Sequence, residues 1–104
     1  MKKCGFGKQI YYDRTKYLGQ FLDGTFHGKG TYIWPSGEKH VGDLKDGSFD
    51  GQGTRYYGDG KIYYGSWAND KRNGFGILYN GDKILNAGCW QEGNFIGNAA
   101  CNQR

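Results

Sequence analysis

A chain of 104 residues is the length of one domain, and its 20 glycines lie far above ordinary usage while it has one proline. Aromatic residues make up 17% of the chain, which is too many for a disordered polar segment. No apolar run approaches the roughly 18 residues that a membrane-spanning helix needs. The opening MKKCGFGKQ has no apolar stretch behind its basic start, so we expect no signal peptide. The sequence is equally compatible with a mature protein from which a signal peptide has been removed.

The formal net charge of +4 is concentrated at the amino terminus. Among the first 16 residues only Asp13 opposes five basic side chains, and the remaining chain has nine basic and nine acidic residues. Such a patch attracts an anionic membrane surface or an acidic partner, or it simply keeps this end of the chain solvated. The basic residues of this segment are Lys2, Lys3, Lys8, Arg14 and Lys16.

The first predicted hairpin is YLGQFLDGTFHGKGTY, residues 17–32, in which two β-prone runs flank the turn signal Asp23-Gly24. Asp46-Gly47 marks the matching turn of the next hairpin, and Asp70-Lys71 is expected to replace it in the third. The clusters PSGE and GDGK join one hairpin to the next. The sequence therefore predicts an all-β meander with almost no helix and eight or nine short antiparallel strands. At about 4.8 Å per strand, the sheet should be roughly 40 Å long.

The hairpins repeat with a strict period of 23 residues. The period is carried by evenly spaced glycines: Gly19, Gly42, Gly65 and Gly88. Glycine recurs nine residues after each of these, and eleven residues after the first three. Such a period is typical of a repeat protein. The predicted single domain, 1–104, then consists of a partial unit at 4–16, full units at 17–39, 40–62 and 63–85, and a truncated unit at 86–104.

Rings and glycines are expected to meet on one face of this sheet. Because side chains alternate along a strand, Tyr17 and Gly19 share a face. We predict that Gly19 lies opposite Gly28 and Tyr17 opposite Gly30, so that the tyrosine ring covers a glycine backbone. His40 over Gly53 and Tyr63 over Gly76 would repeat this contact.

Pairs of large side chains are expected nearer the turns, and they stabilise a sheet by about 0.5–1 kcal/mol each. In the third unit an arginine, Arg72, faces Trp67, which predicts an indole less covered by its own sheet. The predicted pairs are Phe21–Phe26, Leu44–Phe49, Trp67–Arg72 and Trp90–Phe95.

The pattern YLGQFLDGTFHGKGTYIWPSGEK resembles a MORN repeat. The unit of that family opens with Tyr-x-Gly-x-aromatic, followed by an Asp/Asn-Gly turn and Gly-x-Gly. The resemblance covers roughly residues 4–98, with departures at His40 for the tyrosine and Leu44 for the aromatic residue. It implies a single-layer, twisted, elongated and groove-like antiparallel sheet. It implies little about function, since such repeats occur in scaffolds, partner-binding modules and accessory regions of enzymes, and lipid binding does not follow from the repeat alone.

Catalysis finds little support in the sequence. His27 and His40 stand at repeat positions where other units carry Asp50, Asn73 or Tyr63, which does not fit a fixed general base. No P-loop, G-x-S-x-G or H-E-x-x-H motif is present. We therefore predict a protein that is not an enzyme and that uses no cofactor or metal. Nucleic acid binding is not expected either, because it needs a basic stripe interleaved with the rings and the repeat region is neutral.

Two functions from different classes remain. The first is a protein-interaction or scaffold module that binds a peptide or helix of an unidentified partner through the aromatic and glycine-rich sheet face. The alternative use of the same rings is to fill the sheet's own face. The predicted partner-binding residues are Tyr17, Phe21, Phe26, Leu44, Phe49, Tyr63, Trp67 and Trp90. The second function is peripheral association with anionic lipid through Lys2, Lys3, Lys8, Arg14 and Lys16.

The carboxyl-terminal end carries two further predictions. Its last residues, GNFIGNAACNQR, hold one charge, so self-association is expected through this sheet edge rather than the basic one. In the predicted register Cys89 and Cys101 point to opposite faces and Cys4 lies at the far end, so we predict no intrachain disulfide. The unpaired thiols and the lack of an Asn-x-Ser/Thr sequon favour a cytoplasmic protein without excluding an exported one.

Overall fold

Nine antiparallel strands follow one another in a single open sheet, in the order of the sequence. The computed structural model describes residues 4–97, and within that range it contains no helix. The sheet measures 47 × 32 × 17 Å, somewhat longer than predicted from strand number. The all-β meander is therefore confirmed. The strands are β1 (Gly5–Ile10), β2 (Lys16–Leu22), β3 (Thr25–Ile33), β4 (Lys39–Lys45), β5 (Ser48–Tyr56), β6 (Lys61–Ala68), β7 (Lys71–Asn80), β8 (Lys83–Gln91) and β9 (Asn94–Gly97).

The hairpin turns within the repeats are two-residue turns with both central residues in the left-handed region. Asp23 has φ 52° and Gly24 has φ 82°, the geometry of a type I′ turn, whose twist matches that of the flanking strands. The third turn is Asn69-Asp70, because Ala68 pairs with Lys71. The prediction of Asp70-Lys71 was wrong by one residue. The sequence Asn-Asp fits the turn since both residues tolerate positive φ better than other side chains do.

The strand register departs from the prediction at a bulge in each repeat. Phe21 pairs with Phe26 as predicted, but Gly19 pairs with Gly30 and Tyr17 with a tyrosine, Tyr32. The reason is that one residue of β2 faces three residues of β3 at this point, a count that simple alternation does not foresee. The tyrosine still covers the predicted glycine diagonally: a Cβ added at Gly30 would overlap the Tyr17 phenol ring.

Each hairpin tip is tied to the preceding hairpin by a backbone hydrogen bond that recurs with the repeat. The amide of Gly47 donates to the Phe26 carbonyl at 2.9 Å, and Asp70 and Gly93 make the equivalent bonds at 3.0 and 2.9 Å. A side chain adds a second tie, since His27 Nδ1 accepts from the Asp46 amide at 3.3 Å. Asp50 and Asn73 accept in the same way in the next units. Each unit is therefore held by its neighbours, as in other repeat proteins.

One side of the sheet carries the core, and we call it the aromatic face. Its buried members form one cluster, and six half-buried apolar side chains pack against them. The other side, the opposite face, carries the row Leu18, Thr31, Val41, Thr54, Tyr64 and Ile77, which are paired across successive strands. The aromatic face consists of the buried Tyr17, Phe21, Leu44, Phe49, Tyr63, Trp67 and Trp90, and the half-buried Phe26, Tyr32, Trp34, Tyr57, Leu78 and Phe95.

The cysteine prediction is wrong at Cys89, which is disulfide-bonded, whereas Cys4 is a free and exposed thiol. The error came from extending strand alternation to Cys101. The last described strand ends at Gly97, four residues earlier, so alternation cannot be carried that far. Cys101 itself lies outside the described residues.

Candidate partner-binding site

The eight predicted binding residues all belong to the aromatic face, and seven of them are buried. Tyr17 and Tyr63 are fully buried, and Trp67 is 5% exposed, while Phe26 is half-buried. Tyr17 stacks on Phe26 with ring centroids 3.9 Å apart, and Tyr63 packs edge-on against Trp67 at 5.2 Å. The seven buried residues therefore form the sheet's own core, and the half-buried side chains above them keep the accessible apolar surface of this face.

The buried indoles are satisfied within the sheet. Trp67 Nε1 donates to the Gly53 carbonyl at 3.1 Å, and Trp90 Nε1 makes the equivalent bond to Gly76. The prediction that one side of the Trp67 indole is less covered is wrong. The rings of His40 and Tyr63 pack against it, and a guanidinium carbon, Arg55 Cζ, lies 5.1 Å from its centroid.

The predicted tyrosine–glycine contact has a polar component. The Tyr17 hydroxyl donates to the carbonyl of the bulge residue Gln20 at 2.8 Å, and the Tyr63 hydroxyl donates to Ser66 at 3.1 Å. Burial raises the pKa of Tyr17 and raises that of Tyr63 to about 12. Both phenols thus stay protonated at neutral pH, and each hydroxyl braces the bulge of its own unit.

The second unit differs because His40 stands where the tyrosine is expected. Its side chain is fully buried and stacks on Phe49, with ring centroids 3.7 Å apart. Its Nδ1 accepts a hydrogen bond from Arg55 Nε at 3.1 Å, so the proton of the neutral ring is on Nε2, which has no partner among the described residues. Burial, and then the nearby Arg55 charge, lowers the pKa of His40 to about 3.

Two arginines lie half-buried among the rings. Arg55 Cζ is 4.4 Å from the Trp34 centroid, and Arg72 Cζ is 4.4 Å from the Trp90 centroid. Tyr57 lies between them, with its centroid 5.7 Å from Arg55 Cζ and 6.0 Å from Arg72 Cζ. Guanidinium groups stacked on rings at these distances are held in place by cation–π attraction.

Sequence reasoning did not identify these arginines as site residues, although the repeat contains a signal for them. Arg55 occupies the position of Tyr32 and Leu78 in the neighbouring units. Arg72 occupies the position of Phe26, Phe49 and Phe95. A charge at a position where the other units place an apolar side chain is a departure that the fold itself does not require.

The basic amino-terminal set is only partly described. Lys2 and Lys3 lie outside the described residues. Lys8 pairs with Leu18 and Lys16 with Ile10, which puts both lysines on the opposite face. Arg14 is in the turn between β1 and β2, with φ 80°. Phe6, 78% exposed, points to the same side as the two lysines, so exposed apolar and basic side chains are combined there.

Residues 4–97 contain no group of three His, Cys, Asp or Glu side chains that could hold a metal ion. Within the same range, no helix is long and apolar enough to cross a membrane.

Comparison with known proteins identifies the repeat. The family model described as MORN repeat matches residues 17–39, 40–62 and 63–83, which together form more than half of the chain. The matches start at the first residues of the three predicted full units, 17, 40 and 63, and agree with the predicted repeat length. No curated protein matches the chain. Repeats of this family act generally as non-catalytic modules for protein or membrane interaction.

Proposed function

Because the chain belongs to the MORN-repeat family, we propose that it is a non-catalytic scaffold module that binds a peptide or helix of a partner protein on its aromatic face. In this proposal the seven buried residues shape the face, and Phe26 contacts the partner together with the five other half-buried apolar side chains. The chain itself catalyses no reaction.

The observation that carries the proposal is a core face without a second layer. Tyr32, Trp34, Tyr57 and Leu78 pack on the buried cluster, yet each remains half exposed, because no other element of residues 4–97 covers this side of the sheet. Large aromatic side chains of this kind dominate the energy of protein interfaces. A partner segment would remove their remaining surface from water, which stabilises a complex by about 25 cal/mol for each Å² of apolar area buried.

Charge favours a partner segment over a second copy of the chain as the occupant. The aromatic face holds Arg55 and Arg72, so two copies apposed face to face would bring four positive charges together in a partly desolvated interface. Like charges in such an interface oppose association. A segment of another protein with complementary charge avoids this repulsion.

The test replaces one half-buried ring and compares it with an exposed ring on the opposite face. A protein captured with the wild-type chain is purified, and its affinity is measured by titration calorimetry for Trp34→Ala and Tyr64→Ala. We expect Trp34→Ala to weaken binding by 1 kcal/mol or more, about fivefold or more, and Tyr64→Ala to leave it unchanged. Melting temperatures establish that both variants are folded. Equal affinity of Trp34→Ala and wild type for every captured protein contradicts the proposal.

The second candidate is peripheral association with an anionic membrane, and it is supported by the arrangement of Lys8, Lys16 and the exposed Phe6 and Ile10 on the opposite face. Vesicles with and without phosphatidylserine test it by co-sedimentation. Lys8→Gln with Lys16→Gln should reduce binding to the anionic vesicles, and salt should weaken it steeply. Lys61→Gln, which removes a lysine paired with Asp59, is the matched control. Salt-independent binding, or binding equal in both variants, contradicts this candidate.

A further inference from the structure

Two guanidinium groups on the aromatic face have no carboxylate partner within residues 4–97. The ion pairs of that range involve other side chains, and neither Arg55 nor Arg72 forms one. Arg72 Nη2 donates to the Gly93 carbonyl at 2.7 Å, and Arg55 uses its Nε for His40. The two Nη atoms of Arg55 have no acceptor among the described residues. Neither is a fully buried unsatisfied atom, so both retain some contact with solvent.

The surrounding side chains hold these groups in fixed positions. The Arg55 guanidinium lies among Trp34, Phe49 and Trp67, at 4.4, 5.2 and 5.1 Å from their centroids. His40 Nδ1 accepts its Nε–H at 3.1 Å, which restricts rotation of the planar guanidinium group. An arginine prepared in this way loses little side-chain entropy when it binds an acceptor.

Both arginines depart from the residue type of the other repeat units, and both lie near the same ring, Tyr57. The neighbouring units place Tyr32 and Leu78 at the position of Arg55, and phenylalanine at the position of Arg72. Each exchange puts a charge into a partly desolvated site, which costs free energy unless a partner charge compensates for it. The two departures meet at Tyr57, which both guanidinium groups approach. Such a paired departure from the repeat indicates recognition of a negative group.

An open cavity of about 360 Å³ adjoins one of the two arginines. It is lined by Arg72, Tyr57 and Leu78 together with Glu38, Gly58, Asp59 and Lys61. Asp59 is ion-paired with Lys61 at 3.3 Å. Glu38 forms no ion pair in the described part of the chain, and its charge acts on Arg55 from a distance. Glu38 is thus a competing negative charge at the rim.

We propose that Arg55 and Arg72 together bind carboxylate side chains of an acidic, partly apolar partner segment. This inference rests on the proposed function and names the chemistry of the partner. The planar guanidinium fork matches a carboxylate, and charge-assisted hydrogen bonds of this type are about twice as strong as neutral ones. Apolar side chains of the same segment would cover Trp34, Tyr57 and Leu78.

The experiment selects ligands without assuming their sequence. A phage-displayed library of random peptides of about 14 residues, enough to span the 47 Å sheet at about 3.3 Å per residue, is screened against the wild-type chain. The best enriched peptide is synthesised, and its Kd is measured by fluorescence anisotropy. We expect enrichment of Asp and Glu beside apolar residues. We also expect a tenfold or larger loss of affinity when the peptide's acidic residues become Asn or Gln.

The protein variants restore the residues of the neighbouring units. Arg55→Leu and Arg72→Phe should each weaken binding of the acidic peptide about tenfold or more. Because they leave His40 Nδ1 and the Gly93 carbonyl without their donors, melting temperatures are measured to establish that both variants are folded. Glu38→Gln should tighten binding, because it removes the competing charge. Lys45→Gln, an exposed charge removed outside the aromatic face, is the matched control and should change nothing. If an arginine variant does not fold, the peptides whose acidic residues are replaced by Asn or Gln still test the inference, because they are measured against the wild-type chain.

Each result separates this inference from the proposed function. Enriched peptides without acidic residues, or peptides that bind both arginine variants as they bind the wild type, overturn the inference. If those peptides still require Trp34, the proposed function stands. If no peptide is enriched above a library panned without the protein, both are overturned. If the arginine substitutions weaken binding of the chain to phosphatidylserine vesicles but do not weaken its binding to any peptide, the site recognises lipid phosphate. That result also overturns the inference.

Discussion

Arg55 Nε donates a hydrogen bond to Nδ1 of the fully buried His40 at 3.1 Å, on the face where the neighbouring repeats use tyrosines to brace their own bulges. His40 stands where the neighbouring units have a tyrosine. Its ring therefore bonds to an arginine side chain, whereas the tyrosine hydroxyls bond to the backbone of their own unit. It leaves His40 Nε2 without a partner among residues 4–97, which is a cost to stability. Such a cost at one repeat position is consistent with a role for that unit in binding rather than in folding.

The buried His40 should make stability depend on pH. Its pKa is lowered to about 3 by burial first and by the Arg55 charge second, whereas it titrates near 6.5 in the unfolded chain. Between these values the unfolded state binds more protons, so the free energy of unfolding falls as pH is lowered from about 6.5 towards about 3. We expect a loss of up to about 2 kcal/mol between about pH 7 and about pH 5 in urea denaturation curves.

Two histidine variants check that this pH dependence comes from one residue. His40→Tyr restores the residue of Tyr17 and Tyr63, and it should flatten the dependence above about pH 5, a range above the ordinary pKa of carboxylates. His27→Asn copies Asn73 at the equivalent hairpin tip and should keep the dependence. If the two variants behave in the opposite way, the assignment to His40 is wrong.

The glycines beneath the tyrosine rings should not tolerate a side chain. A Cβ at Gly76 would overlap the Tyr63 ring, which is fully buried and fixed by its hydroxyl bond to Ser66. Gly76→Ala should therefore lower the free energy of unfolding by about 1–3 kcal/mol, as overpacking does in other cores. At Gly58 the nearest atom to an added Cβ is Glu38 Cγ at 3.9 Å, an ordinary contact, so Gly58→Ala is the control. Equal denaturation midpoints for the two variants would refute the packing argument.

Much of the fold is encoded locally, and this part could be read from the sequence. The 23-residue spacing, the Asp-Gly turns and the alternation around Tyr17 predict the meander and the contact of rings with glycines. The bulge could not be foreseen, because it depends on Gly28 adopting φ 81° and on a three-against-one count across two strands. Arg55 and Arg72 lie on β5 and β7, with β6 between them, so they approach a common ring only once the sheet is formed.

The indole of Trp67 should matter for folding before it matters for binding. It is 5% exposed and bonded to Gly53, so Trp67→Ala should cost about 3–5 kcal/mol, a large part of the total stability of a small domain. Trp67→Phe keeps a ring but leaves the Gly53 carbonyl without its donor, and it should cost about 1–3 kcal/mol. Thermal melts followed by circular dichroism measure both. A wild-type melting temperature for Trp67→Ala would show that the ring is not part of the core.

Self-association, if it occurs, should run through β9 rather than β1. Both are outermost strands of the described sheet and present unpaired backbone groups, but β1 carries Lys8 and follows a basic segment, and charge on an edge strand discourages pairing.

Cutting the chain at Asn86 would remove the buried Trp90, so a point variant is the better test. Ile96, 59% exposed on β9, and Phe6 on β1 offer matched sites. In analytical ultracentrifugation of chains that carry Cys4→Ser, which prevents cross-linking through this exposed thiol and leaves the Cys89 disulfide intact, Ile96→Lys should reduce association and Phe6→Lys should not. Equal association of both variants would exclude the β9 edge.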